Sequence, residues 1–394
     1  MKLQILIAVL LITGSAEATT LGVCNAGCDY TSIQTAIKYA DPGDTINVSE
    51  GTYKENIMTT KPIAIRGAGI GRTLIDGSFA GAVITIGPGL DTFGPGLDTF
   101  GPGPILSFSD ITFEHGKAYF GSGISNNGGQ ITLINCSITN NTAYGGTVYN
   151  TRNGTIELNG SVITNNNATT GGGIYNEYGI VDLNAESLIS NNTAIDYGGG
   201  IWSQVDSILN LNGTTISGNR AANGGGIYSS SASINMNSGT ISNNTANRGG
   251  GVFNDNGMMS LNDGSIGYNY ALTYGGGIFN NQGQVDLDGS SIDYNYARMF
   301  GGGGIYNDLG VLNLNGSTID HNHSGTYGGG IYNNVDTSSG LSSTLNLYNG
   351  SIDHNTASAK LSGGGVYSVY GTSITGNKSL VSENTPDQIR TVGS

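Results

Sequence analysis

Variants of one motif, Gly-x-Gly-aliphatic-aromatic-Asn, begin at Gly121, Gly145, Gly171, Gly198, Gly224, Gly249, Gly275, Gly302, Gly328 and Gly363. The spacing stays near 26 residues until a last step of 35, which carries the insertion VDTSSGLSS (Val335–Ser343). A period of this length means that one unit cannot bury its own apolar face, and that stacking identical units can. Each unit reads as three short segments, seen in GGGIFN, QVDLDGS and SIDYNYA (Gly275–Asn280, Gln284–Ser290, Ser291–Ala297). In the second segment Val285 and Leu287 alternate with Asp286 and Asp288, the period-2 pattern of a half-buried strand. With 67 Gly and only 11% charged residues, the chain is poorly suited to helices. The expected fold is all-β: a single-stranded, right-handed parallel β-helix of about 13 coils.

In such a solenoid, strands of successive coils lie about 4.8 Å apart, so equivalent residues form columns. One aliphatic column runs from Ile124 to Val366, and a second from Leu133 to Leu347. Burying such side chains contributes roughly 1.5–3 kcal/mol each before chain entropy is counted. The most regular polar column is the Asn of Ile-x-x-Asn: Asn141, Asn166, Asn192, Asn219, Asn244, Asn269, Asn295, Asn322, Asn355 and Asn377. An amide both donates and accepts, so this column is expected to be a structural turn ladder rather than an active site. The repeated glycines are expected to serve as corners that pack against the same corner above and below. A phosphate cradle would be needed once, ahead of a helix.

Three regions are expected: a signal peptide at 1–18, a cap with irregular first coils at 19–120, and the regular repeats at 121–394. Lys2, the apolar run Leu3–Ile12 and Ala16-Glu17-Ala18 have the layout of a cleaved secretory signal. The apolar run is too short to span a bilayer, so the mature chain is expected to be secreted or surface-associated, with no integral membrane segment. Thr31-x-x-Gln34 is a candidate capping box for a short amphipathic helix over the open end of the solenoid, stopped by Asp41-Pro42-Gly43. The runs TINVS, IAIRG, TLIDG, AVITI and ILSFSDITF then supply about three irregular coils. A tandem duplication between Gly87 and Pro104 is expected to form an exposed loop. Cys24 and Cys28 suit a small disulfide-closed loop in an exported chain, zinc being the alternative. Cys136 stands where other repeats hold Ser, and is expected to be a packed thiol.

A net charge of −14 argues against nucleic-acid partners. Thirteen Asn-x-Ser/Thr sequons, among them Asn47, Asn159, Asn212 and Asn315, make the chain a candidate glycoprotein.

Two resemblances have residues behind them. Cys24–Gly77, with CDYTSIQTAI, GDTINVSEGTY and IAIRGAGIGRTLIDG, resembles the N-terminal cap and first coils of pectin-lyase-like β-helix proteins. The repeat IDYNYARMFGGGGIYN (Ile292–Asn307) is similar to repeats of polymorphic outer membrane proteins, with Ile in place of Phe and Gly or Thr in place of Ala. The resemblances imply the β-helix fold and an adhesin-like surface role, with a glycan or a cell-surface protein as partner; a structural envelope spacer without a ligand is a further alternative. Export through a C-terminal barrel, as in the second family, is not expected here.

Fold does not decide activity, and the pectin-lyase-like class also contains polysaccharide-processing enzymes. The polygalacturonase-like motifs NTD, DD, GHG and RIK and the esterase-like DFIFG are absent from the sequence. The enzymatic candidates are Asp293, Asp320 and Asp353 with His321 and His354, which share one repeat column. They suit Ca²⁺ or another metal, or acid–base chemistry. The bland alternative is repeat drift at a solvent-facing position. No cofactor or dedicated metal site is expected beyond that. The candidate binding surface is the aromatic after each aliphatic: Tyr175, Trp202, Tyr228, Phe253, Phe279, Tyr306 and Tyr332, with Tyr149 and Tyr367 at the ends. If alternation holds, these rings point outward as a stripe for sugar rings or a protein. The alternative is a self-stacked ladder that shields its own strand edges.

Overall fold

The computed structural model describes residues 17–87, 103–184, 186–336, 341–360 and 362–392. Nearly all of the signal sequence and of the seven-residue duplication lies outside them. Among the described residues the chain is a parallel β-helix of about 13 turns with one α-helix. Three long parallel sheets run its length. One is built from the Leu-x-Leu segments, one from the segments after the glycines, and one from the Ile-x-x-Asn segments. Two shorter sheets flank the glycine corner. All three long sheets continue across residue 120 from the irregular coils into the regular repeats.

Register is one to one. Ile278 lies beside Val252 and Ile305, and Leu287 beside Leu261 and Leu314. Both aliphatic columns and the Ile of Ile-x-x-Asn are essentially fully buried in one continuous core. The corners explain the glycines. Gly275 has φ +62, and a Cβ on it would meet the Ile278 carbonyl oxygen at 2.4 Å. A Cβ on Gly276 would meet the Gly303 carbonyl oxygen of the next coil at 2.3 Å. The triplet therefore turns the backbone and lets two coils touch, as its repetition implied.

The buried amide column is a continuous ladder. Asn219 donates its backbone N–H and its Nδ2 to Asn244 Oδ1 at 2.9 and 3.0 Å. Asn244 does the same to Asn269 at 3.0 and 3.1 Å, and its Nδ2 also reaches the Ile216 carbonyl. The pattern holds from Asn141, Asn166 and Asn192 through Asn295 and Asn322 to Asn355. The last rung is not Asn377. Asn355 donates instead to Asn384 Oδ1, at 2.8 and 3.0 Å. The reason is register: Ser373–Gly376 pairs with Thr344–Leu347, so SITG takes the Leu-x-Leu position and VSEN (Val381–Asn384) takes the Ile-x-x-Asn position. Asn377 caps a short 3-10 turn.

A second amide ladder follows the aromatics. Asn126 donates to Asn150, Asn150 to Asn176, Asn254 to Asn280 and Asn280 to Asn307, all within 2.8–2.9 Å. Serine interrupts it at Ser203 and Ser229, and there Ser229 Oγ and Asn254 Oδ1 are buried without a hydrogen-bond partner.

Helix α1 (Ile33–Tyr39) closes the N-terminal end, burying Ile33, Ala36 and Ile37. Its N-cap is Ser32, so the Thr31–Gln34 capping box does not form. Glu55 supplies the missing acceptor: its two oxygens accept from the N–H groups of Ile33 and Gln34 at 2.9 and 2.8 Å. A tertiary carboxylate thus satisfies the orphan donors of the first turn. Gln34 turns to Met58, accepting from its N–H at 2.7 Å. At the other end Lys61 Nζ donates to the carbonyls of Ile37, Lys38 and Ala40. At the described ends of the long insertion Val335 pairs antiparallel with Ser342.

Cys24 and Cys28 form a disulfide. Cys136 is a buried free thiol whose Sγ lies 3.4 Å from the Phe108 carbonyl oxygen, and burial pushes its pKa up to about 12. Ellman's reagent should leave Cys136 unmodified in the folded chain and titrate it fully in denaturant. Rapid native labelling would contradict the packing described here.

Candidate functional site

The third long sheet sets Asp293, Asp320 and Asp353 side by side, with Ile292, Ile319 and Ile352 pointing inward beneath them. The following residue enters the left-handed region before the chain dives to the buried Asn. Five coils use Asn or Gly there: Asn140, Asn165, Asn191, Asn243 and Gly218. Four successive coils do not: Tyr268, Tyr294, His321 and His354 have φ of 57, 52, 52 and 51°, and Glu383 follows with 53°. Bulky side chains are disfavoured in this region by about 1–3 kcal/mol each, and such outliers persist where the surroundings over-determine them.

The four rings stack. Centroids of Tyr268 and Tyr294 are 5.0 Å apart with planes at 4°, those of Tyr294 and His321 4.9 Å at 20°, and those of His321 and His354 4.9 Å at 4°. The ring edges face solvent, and Tyr268 is 59% exposed. Carboxylates flank the imidazoles. His321 Nδ1 lies 2.7 Å from Asp320 Oδ1, and His354 Nδ1 lies 3.5 Å from the same oxygen and 3.7 Å from Asp353 Oδ1. His354 Nε2 lies 2.8 Å from Glu383 Oε2. The five enzymatic candidates therefore do come together. The sequence did not single out Tyr268, Tyr294 and Glu383 as their partners, because only coil register shows that they share the column.

Asp293 has its pKa raised, first by burial and then by the charge of Asp320. Its carboxylate fits because Gly267 occupies the position below, where a Cβ would meet Asp293 Oδ1 at 2.4 Å. A raised acid pKa means that the folded chain holds this proton more tightly than the unfolded one. The stability from that proton is present below the unfolded carboxyl range, about pH 4, and is lost as pH rises through the folded pKa. Asp293→Asn should therefore raise the thermal midpoint at neutral pH, with the gain shrinking toward pH ~3. A midpoint gain independent of pH would contradict this.

The aromatic column is the self-stacked ladder of the two readings, not an open stripe. Tyr175, Tyr228, Phe253, Phe279 and Tyr306 are only 5–8% exposed, and Trp202 and Tyr332 are half-buried. The rings do leave the core, but they stack on one another. Phe279 and Tyr306 lie 5.1 Å apart at 5°, and Tyr306 and Tyr332 4.7 Å apart at 9°. Tyr274 packs over them from the neighbouring short sheet. Desolvation raises the hydroxyl pKa of Tyr175, Tyr228 and Tyr306, and that of Tyr332 to about 12. Tyr175 donates to Gln204 Oε1, and Tyr228 to Asp255 Oδ2 at 3.1 Å.

The open polar face lies elsewhere, on the outward side of the Leu-x-Leu sheet. Two amide rows cross it. In one, Asn210 donates to Asp182 at 2.6 Å, Asn235 to Asn210 at 2.9 Å and Asn346 to Asn313 at 2.6 Å. In the other, Asn212 donates to Asn184, Asn237 to Asn212 and Asn262 to Asn237, each at 3.1 Å. The signal was present in LNLNG, INMNS and LNLNG (Leu209, Ile234, Leu312 onward), where each apolar residue alternates with Asn.

These columns and rows define a parallel β-helix solenoid with side-chain ladders on and beneath its faces. The family described as the Chlamydia polymorphic membrane protein repeat matches residues 186–204 and 213–230. The chain is thus a β-helix with repeats like those of the polymorphic membrane proteins. No curated protein matches it. Among solved structures, the A-module of the mannuronan C-5 epimerase AlgE6 of Azotobacter vinelandii is similar, with 15% identity and a TM-score of 0.50. The match covers 92% of this chain and 96% of the module. At that identity the likeness is one of fold. Among the described residues no helix is long and apolar enough to cross a membrane.

Proposed function

We propose that this chain is a secreted or cell-surface protein that binds a glycan or a cell-surface partner in an adhesin-like manner and leaves it chemically unchanged. The observation that carries the reading is the open face of the Leu-x-Leu sheet, where successive coils each add planar amide or carboxylate side chains. Such groups donate and accept in one plane, which suits sugar hydroxyls. The match to surface-protein repeats supports the same role. The aromatic column from Tyr175 to Tyr332 enters the proposal through its half-buried members, Trp202 and Tyr332. Glycosylation belongs to the same reading through sequons off that face, such as Asn191.

A glycan array probed with the full chain tests this. Asn237→Ala with Asn262→Ala should weaken binding at least tenfold without moving the thermal midpoint. Trp202→Ala and Tyr332→Ala test the aromatic column in the same assay. Binding unchanged in every variant would sink the proposed surfaces.

The second reading is a polysaccharide-processing enzyme. It is favoured by the convergence of Asp293, Asp320, Asp353, His321 and His354 and by the fold shared with a mannuronan epimerase. Altered mannuronan or acidic polysaccharide after incubation, lost in Asp320→Asn, would establish it.

A further inference from the structure

We propose that Asp320, His321 and His354 form a binding site for a divalent transition-metal ion of the zinc class, with Glu383 orienting His354. Three observations converge on it. Asp320 Oδ1, His321 Nδ1 and His354 Nδ1 all lie within 4.8 Å of one another. Asp320 Oδ1 is itself buried and has no hydrogen-bond partner, although His321 Nδ1 stands 2.7 Å away. The contact does not give that oxygen a hydrogen bond, and a cation reached by both side chains would supply the partner it lacks. Lastly, His354 presents Nδ1 to this oxygen while Nε2 meets Glu383 Oε2 at 2.8 Å. That is the arrangement in which a ligating imidazole is held by an outer carboxylate, its tautomer set by the second nitrogen.

The donor set selects the ion. Two imidazole nitrogens and one carboxylate oxygen suit Zn²⁺ and its neighbours, while Ca²⁺ requires six or more oxygens. Three protein ligands leave a fourth position for water or for a group on a bound partner. The site is not preformed. Tetrahedral zinc holds its ligand atoms about 3.4 Å apart, and two rings stacked at 4° cannot both aim a lone pair at one ion. One imidazole must rotate out of the stack. Both are exposed, with side chains 43% and 48% accessible, so the rotation meets little resistance.

Isothermal titration of the chelator-treated full chain with zinc chloride near neutral pH tests the proposal. One ion should bind per chain. His321→Ala and His354→Ala should each weaken it at least tenfold, and Glu383→Gln should weaken it tenfold or less. His115→Ala, remote from the site and beside Asp76 and Glu114, should leave it unchanged. Cobalt substitution should add visible absorbance of a tetrahedral N/O site, absent in His354→Ala. Unchanged circular dichroism excludes misfolding as the cause of a loss. No saturable zinc binding, equal binding in the His321→Ala/His354→Ala double variant, or tighter binding of Ca²⁺ than of Zn²⁺ would overturn it.

Discussion

Replacing Gly276 by alanine should destabilise the central coils by about 3 kcal/mol or more. The new methyl group would meet the Gly303 carbonyl oxygen at 2.3 Å, and the backbone N and C of Tyr296 at 2.6 and 2.7 Å. All three atoms belong to backbone, so no side chain can swing aside. The next coil must move, and it carries its own ladders with it. In a solenoid each coil contacts only its neighbours, so damage at one interface uncouples the stack on either side. Denaturation followed by hydrogen exchange should show early opening around residues 270–305, rather than a uniform shift. Gly160→Ala is the control. It too has positive φ, at +58, but a Cβ there meets nothing within 4 Å, and its cost should be only the backbone strain, about 1 kcal/mol. Equal effects at both positions would mean that coil contact is not what the glycines provide.

Asn244→Ala should be comparably severe. The substitution removes the acceptor for the Asn219 backbone N–H and Nδ2, and the donor for the Ile216 carbonyl. These groups are buried, and each unsatisfied one costs about 1–3 kcal/mol. A total of about 3–9 kcal/mol follows, measured as a fall in the urea midpoint. Asn237→Ala removes an exposed rung of similar chemistry, and water replaces what is lost, so its effect should stay within about 0.5 kcal/mol. The contrast separates the buried ladder as structure from the exposed rows as surface.

Much of this fold was legible because the chain repeats. The corner glycines, both aliphatic columns and the Asn ladder all follow from spacing, since a coil of fixed length superposes like on like. What escaped was decided by register and cover. ITGN and VSEN look equivalent in sequence. Only the pairing of Ser373 with Thr344 sends the first to the Leu-x-Leu sheet and leaves Asn384 as the last rung. Alternation correctly sends Phe279 and Tyr306 away from the core. It says nothing about Tyr274, which arrives from a segment of variable length and covers them. The capping box does not form because Ser32 is the N-cap, accepting from the Thr35 N–H, and Glu55, distant in sequence, accepts from the Gln34 N–H. At the candidate site the five Asp and His residues were visible individually. Their stack with Tyr268 and Tyr294, and the left-handed backbone that projects all four rings, needed the coils aligned.

The central claim is binding without turnover. It is tested most directly by incubating the full chain with mannuronan and a panel of acidic and neutral glycans, then measuring retention and polymer chemistry in the same samples. The account expects saturable retention of at least one glycan, with its length, unsaturation and uronate composition unchanged. Shortened, unsaturated or epimerised polymer, dependent on Asp320 and His321, would contradict it.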